Sequence, residues 1–246
     1  MTEPIITARD LTIGYPGTAL FERESFDVDT GSRFAIMGDS GSGKSTLLKA
    51  MIGLVPPLDG ELLVDGRPAA LRPGERPRLG VSFQSGALFG AMTVRENLEL
   101  PAAAWTHLSA DAIDRLILSK LALVGVDHVV DRLPSEISGG QVKRVAIARS
   151  LMLDPRLLFL DEPFAGLDPV TSDELESLLI RLNEALGLTV VMVSHMIDRV
   201  LSMADDGLII NASQRAIIAK GAPKALADDP PNDATAAFLR STEAAA

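Results

Sequence analysis

A short apolar stretch, Arg33-Phe34-Ala35-Ile36-Met37, runs straight into Gly38-Asp39-Ser40-Gly41-Ser42-Gly43-Lys44-Ser45 and then into a segment of helical pattern, Lys44 to Leu54. The octet fits G-x-x-x-x-G-K followed by Ser or Thr, and it has chemical use only between a strand and a helix. Its glycines let main-chain N–H groups approach oxygen atoms closely. The helix N-terminus adds a partial positive charge and Lys44 a full one. A nucleotide polyphosphate needs these features, so Gly38, Asp39, Ser40, Gly41, Ser42, Gly43, Lys44, Ser45 and Thr46 are the candidate phosphate-binding residues. The Ser45 hydroxyl is of the kind that ligates Mg2+.

Unbroken apolar runs at Leu157-Leu158-Phe159-Leu160 and Thr189-Val190-Val191-Met192-Val193 read as strands covered on both faces, as in a parallel sheet. Between them the pattern predicts a helix from Ser172 to Leu186, entered through Pro169 with Thr171 and Glu174 as a capping box, and left at Gly187. Such alternation predicts an α/β core. The middle of the chain differs. Ser109 to Val124 carries Ile113, Leu116, Ile117, Leu121 and Val124 at helical spacing, and Gln141 to Leu153 reads as a further helix closed by Asp154-Pro155. A helical insertion is therefore expected at about 88–155, between sheet segments at about 1–87 and 156–221, with a tail from about 222 to 246. In that tail the pair Phe238-Leu239 reads as part of a frayed helix rather than a docking foot.

The run Leu157 to Leu160 ends in Asp161-Glu162, which places two carboxylates at the C-terminal edge of a strand, where open α/β sheets build their sites. Asp161 is the candidate to help hold Mg2+ through water, and Glu162 to orient the water that attacks the γ-phosphate. These two motifs alone fit kinases, helicases and many other NTPases. A third narrows the field: in Ile137-Ser138-Gly139-Gly140-Gln141 a hydroxyl, glycine amides and a helix N-terminus converge. The economical reading is a second anion site, which closes on the ATP of another copy and makes the nucleotide the glue of a dimer.

At these residues the chain resembles the ATP-binding cassette (ABC) family, whose signature is usually written LSGGQ and here begins with Ile137. The resemblance implies a P-loop NTPase with a RecA-like core, an N-terminal antiparallel β subdomain and an inserted helical subdomain. It also assigns roles: Tyr15 as the aromatic platform for adenine, Gln84 as the loop residue sensing Mg2+ and a membrane permease, Asp168 in the dimer-facing loop Ala165-Gly166-Leu167-Asp168, and His195 as the γ-phosphate switch. Lys44, Glu162 and His195 are thus the catalytic candidates, Ser45, Gln84 and Asp161 the metal candidates, and Ser138, Gly139, Gly140 and Gln141 the contacts to a partner's ATP. His107 and His128 read as surface or packing residues. The sequence departs from the family pattern at Ala165, where many cassettes have serine, at Met196, where an acidic residue is usual, and in the glycine-poor stretch Asn211 to Lys220. None removes a catalytic group, so hydrolysis at a modest rate is expected.

Phe83-Gln84-Ser85-Gly86-Ala87-Leu88-Phe89, Leu133-Pro134-Ser135-Glu136 and Asp161 to Pro169 are together similar to the ATPase subunits of bacterial Mla-type lipid transporters. That similarity implies a separate integral-membrane permease, an MCE-type lipid-binding subunit, a small accessory protein, and a peripheral location on the cytoplasmic face of the inner membrane. Leu88, Phe89 and Met92 are read equally as a groove for a permease helix or as ordinary core packing. An importer of small polar solutes is the main competing transporter, since residues that touch ATP do not distinguish the two.

Composition excludes other classes. The 246 residues carry a formal charge of −10, the wrong sign for a protein that works by neutralising nucleic-acid phosphate, so no nucleic-acid partner is expected. With no cysteine, disulfides and thiolate metal sites are ruled out. No apolar run approaches the roughly 20 residues of a membrane-spanning helix, and the start lacks the plan of a secretory signal, which predicts a cytoplasmic chain. A DNA-repair ATPase would need a coiled-coil or zinc-bearing insertion, for which the stretch from Gln84 to Ser138 has no heptads and no cysteine.

Overall fold

Alternation of apolar and polar residues makes the first segment a long hairpin: β1 (Pro4–Tyr15) pairs antiparallel with β2 (Thr18–Asp29), burying Ile6, Ala8, Leu11 and Ile13 from one strand and Phe21, Phe26 and Val28 from the other. The computed structural model describes residues 3–70 and 74–243. They form two compact units, Met1–Pro73 with Thr189–Ala246, and Gly74–Leu188. In the first unit the hairpin is followed by β3 (Arg33–Gly38), α1 (Lys44–Met51), β4 (Asp59–Val64) and β5 (Arg67–Pro68). Antiparallel pairing gives a sheet in the order β2-β1-β4-β5. The helix is shorter than the expected Lys44 to Leu54 because Gly53, at φ +78°, turns the chain out of it.

The second unit opens with β6 (Leu79–Ser82), then α2 (Val94–Trp105), α3 (Ala110–Leu123), α4 (Gly139–Ser150), β7 (Leu157–Asp161) and α5 (Pro169–Leu186). β6 and β7 are parallel. α4 starts two residues before the expected Gln141, since Ser138 caps it, and ends at Ser150, short of the expected Leu153. The capping box expected at Thr171 and Glu174 is not the one the structure uses. Asp168 is the N-cap of α5, Thr171 is its donor, and Glu174 instead pairs with Arg144 at 2.7 Å. An aspartate directly before Pro169 outcompetes threonine because the proline supplies the first helical position.

The chain then returns to the first unit with β8 (Thr189–Val193), α6 (Ile197–Met203), β9 (Asp206–Asn211), β10 (Ala216–Lys220), α7 (Pro223–Asp228) and α8 (Asp233–Glu243). β3 lies parallel between β8 and β9, and β10 runs antiparallel on β9. The fold is thus α/β with a separate antiparallel sheet, as the sequence implied. The tail departs from expectation. Phe238 and Leu239 are buried on a regular helix next to β10 and α7, so the pair is a docking foot. Among the described residues no helix is long and apolar enough to cross a membrane.

One buried polar residue organises the stretch before α2. Asn97 is fully buried; its Nδ2 donates to the carbonyls of Phe89, Met92 and Thr93, and its Oδ1 accepts from the Phe89 N–H at 2.8 Å. Asn97→Leu keeps the volume but strands those main-chain groups. We expect a loss of about 3 kcal/mol in urea unfolding, from the penalty for unsatisfied buried polar groups, whereas a change under about 0.5 kcal/mol would mean the stretch is held by other contacts.

Candidate functional site

The phosphate-loop residues all lie in the first unit. β3 stops at Gly38, buried at φ +144°, where a Cβ would sit 2.2 Å from the Ile210 carbonyl oxygen, so only glycine fits. Asp39, Ser40 and Gly41 are exposed, and Gly43, at φ +104°, opens α1. Lys44 is 9% exposed, and its Nζ donates to the Gly38 and Asp39 carbonyls at 2.7 Å each. No side chain caps α1, in contrast to α2, α3, α4 and α5, which are capped by Thr93, Ser109, Ser138 and Asp168. The Ser42 hydroxyl is buried without a hydrogen-bond partner. An uncapped helix start, an ammonium folded over the loop and an unsatisfied buried hydroxyl together suit a multiply charged oxyanion. Ser45 is exposed at this helix start, a hard oxygen donor of the type Mg2+ takes.

Two more predicted residues belong to this unit. Tyr15 ends β1 half-exposed, its hydroxyl 3.4 Å from Thr46 Oγ1, a placement that leaves ring surface available for stacking. His195 is exposed just beyond β8, following the buried Ser194.

The remaining predicted residues belong to the second unit, where β6 and β7 end together, Ser82 opposite Leu160. Gln84 is exposed on the turn after β6, and half-buried Asp161 and Glu162 follow β7. Glu162 has φ +48°, an uncommon conformation for a side-chain-bearing residue. The structure adds a residue that motif reading missed. Lys143 of α4 is buried, and its Nζ donates to the main-chain carbonyls of Gln84 at 2.6 Å and Glu162 at 3.1 Å. Burial pushes its pKa below the usual lysine range, opposed by the nearby Glu162 and then Asp161 carboxylates. The available signal was a lysine on the same helical stripe as the apolar Ala146 and Ile147. Arg149, also on α4, donates to the carbonyls of Gly86 and Ala87.

Ser138, Gly139, Gly140 and Gln141 form the start of α4. The Ser138 Oγ accepts from the Gln141 N–H at 3.3 Å and the Gln141 Oε1 accepts from the Ser138 N–H at 2.9 Å. Gln141 Nε2 lies 3.2 Å from His128 Nε2, so this histidine, read from the sequence as surface or packing, touches the motif. Asp168 caps α5, and hydrogen bonds from the Thr171 hydroxyl and then its N–H hold the Asp168 carboxyl below the usual aspartate range.

Residues 21–165 match the family described as ABC transporter. The chain is 40% identical over 231 residues to the intermembrane phospholipid transport system ATP-binding protein MlaF of Haemophilus influenzae, covering 92% of this chain and 87% of that one. Among solved structures it is similar to cbiO1 from Clostridium perfringens, part of the ABC transporter complex cbiONQ, with a TM-score of 0.84, 31% identity and 92% of each chain covered. A dimeric post-hydrolysis ATP-binding cassette bound to ADP and Pi superposes with a TM-score of 0.78 at 28% identity, over 89% of this chain and 98% of that one.

The two motif glycines differ in the room they have. A Cβ on Gly139 meets nothing within 4 Å, whereas one on Gly140 would sit 2.4 Å from Thr171 Cγ2. We therefore expect Gly140→Ala to destabilise by about 1–3 kcal/mol through overpacking and Gly139→Ala to cost nothing, with most of the Gly140→Ala loss recovered in the double variant with Thr171→Ser. Additive effects in that thermal-denaturation cycle would show that the two side chains do not meet.

Proposed function

The chain belongs to the ABC transporter family, and from that premise we propose that it is the ATP-hydrolysing subunit of a bacterial complex moving phospholipid between envelope membranes. The observation carrying the lipid assignment is the 40% identity over 92% of the chain to an intermembrane phospholipid transport ATP-binding protein. The uncapped start of α1 and the folded-over Lys44 support the ATP assignment.

In this reading Tyr15 stacks on adenine, the main chain of Gly38 to Thr46 holds the phosphates, and Lys44 neutralises charge on the β and γ groups. Ser45, Gln84 and Asp161 would hold Mg2+, whose charge would draw electron density from the phosphate oxygens. Glu162 orients the attacking water and accepts its proton, and His195 contacts the γ-phosphate. Ser138, Gly139, Gly140 and Gln141 serve the ATP of a second copy, with Asp168 in the loop facing that copy. ATP thereby favours the closed dimer, and hydrolysis releases it. Gln84 and the neighbouring Leu88, Phe89 and Met92 face a membrane permease. An MCE-type lipid-binding subunit and a small accessory protein complete the complex, which holds this chain peripherally on the cytoplasmic face of the inner membrane.

Purification of the intact complex tests the reading. We expect a permease and phospholipid to co-purify; stimulation of hydrolysis by a polar solute, with no phospholipid bound, would overturn the lipid assignment. Lys44→Ala should abolish phosphate release. Glu162→Gln should retain ATP binding while kcat falls by about 100-fold or more, the scale of general-base catalysis; wild-type turnover there would remove Glu162 from its role. Ser138→Ala should impair hydrolysis at the partner's nucleotide, seen when it is mixed with Lys44→Ala subunits.

A further inference from the structure

None of the roles above uses Lys143, yet it is the charged member of the buried set on α4, among Val145, Ala146, Ile147 and Ala148. A buried ammonium is costly unless acceptors replace its water. Here the acceptors are main-chain carbonyls of two segments remote in sequence, Gln84, 59 residues away, and Glu162, 19 residues away. One turn before Lys143, α4 begins with the Ser138 motif. If either carbonyl withdraws, the mostly buried ammonium loses an acceptor that water replaces poorly, so the two turns are energetically tied to each other and to α4. Arg149 offers an internal contrast. It grips the Gly86 and Ala87 carbonyls and so holds only the turn after β6.

We infer that Lys143 is a positioning residue that couples the Gln84 turn to the Glu162 turn. This rests on the functional reading above, in which Gln84 faces the permease and Glu162 orients water; a displacement at the permease side then reaches the hydrolytic carboxylate through one side chain.

The test uses the full chain without nucleotide, followed by hydrogen–deuterium exchange, and then the same variants in steady-state ATP hydrolysis. Lys143→Met keeps the aliphatic stem and removes the donors. It should raise amide exchange about tenfold or more in both 83–88 and 162–167, the scale of a charged hydrogen bond. Arg149→Met should raise exchange in 83–88 alone, and Lys143→Arg should restore protection in both. In hydrolysis Lys143→Met should lower kcat about tenfold while KM moves less than about threefold, the pattern of a group that acts after binding. Unchanged exchange in 162–167, or a raised KM at constant kcat, would overturn the inference. Should Lys143→Met fail to fold, Lys143→Gln, with a shorter reach, should free one of the two segments, and protection retained in both would count against the tie. A wild-type chain that releases no phosphate would sink the ATPase reading instead, and the exchange results alone would then decide the coupling.

Discussion

Parallel strand pairing decides where the chemistry of this chain collects. Hydrogen-bonded parallel neighbours run in one direction, so the turns that follow them leave at the same end. Within the second unit, Ser82 opposite Leu160 brings out the Gln84 turn beside Asp161 and Glu162. Within the first, Ile36 opposite Val193 brings out the Gly38 loop beside Ser194 and His195. No attraction between the functional side chains is needed for this. The ladders are stabilised by burial of Phe34, Ile36, Leu158, Phe159, Val191 and Met192, and the polar residues emerge where the apolar runs stop.

Helix starts then divide into closed and open. Thr93, Ser109, Ser138 and Asp168 each satisfy first-turn N–H groups with their own side chains, a contribution of about 1 kcal/mol per cap. Gly43 makes no such bond, so α1 keeps its positive end for something else. Ser138 is a cap as well, but its Oγ only accepts from Gln141, and its own O–H is still a donor. Structural capping and phosphate recognition are therefore compatible on the same hydroxyl.

Contiguous features were the ones legible in the sequence. Gly38 to Ser45 declares itself because strand end, loop and helix start lie within a few residues, and Asp161-Glu162 because an apolar run stops abruptly. Asn97 and Lys143 did not declare themselves. Their partners are carbonyl oxygens, which every residue has, and no spacing rule identifies which ones will converge. The cap of α5 was misread for a related reason. Asp168, Thr171 and Glu174 are all acceptable capping residues, and only the backbone turn at Pro169 selects Asp168. Phe238-Leu239 needed a surface to dock on, and that surface, made by β10 and α7, is not written in the tail's own residues.

Glu162 shows how such a convergence maintains a costly backbone. A non-glycine residue at φ +48° gives up about 1–2 kcal/mol, and the following Pro163 narrows its alternatives further. The Glu162 carbonyl accepts from both the Lys143 ammonium and the Ala165 N–H. Relaxing Glu162 toward an extended conformation would swing that carbonyl away and leave the buried lysine with one fewer acceptor. Losing that acceptor for a buried charged donor, upward of about 1–3 kcal/mol, together with the bond from the Ala165 N–H, about 0.5–1.5 kcal/mol, outweighs the conformational cost it would relieve. The left-handed turn is therefore the cheaper state for as long as Lys143 stays buried, and the position of the carboxylate after β7 is set by a lysine on a neighbouring helix rather than by its own backbone preference.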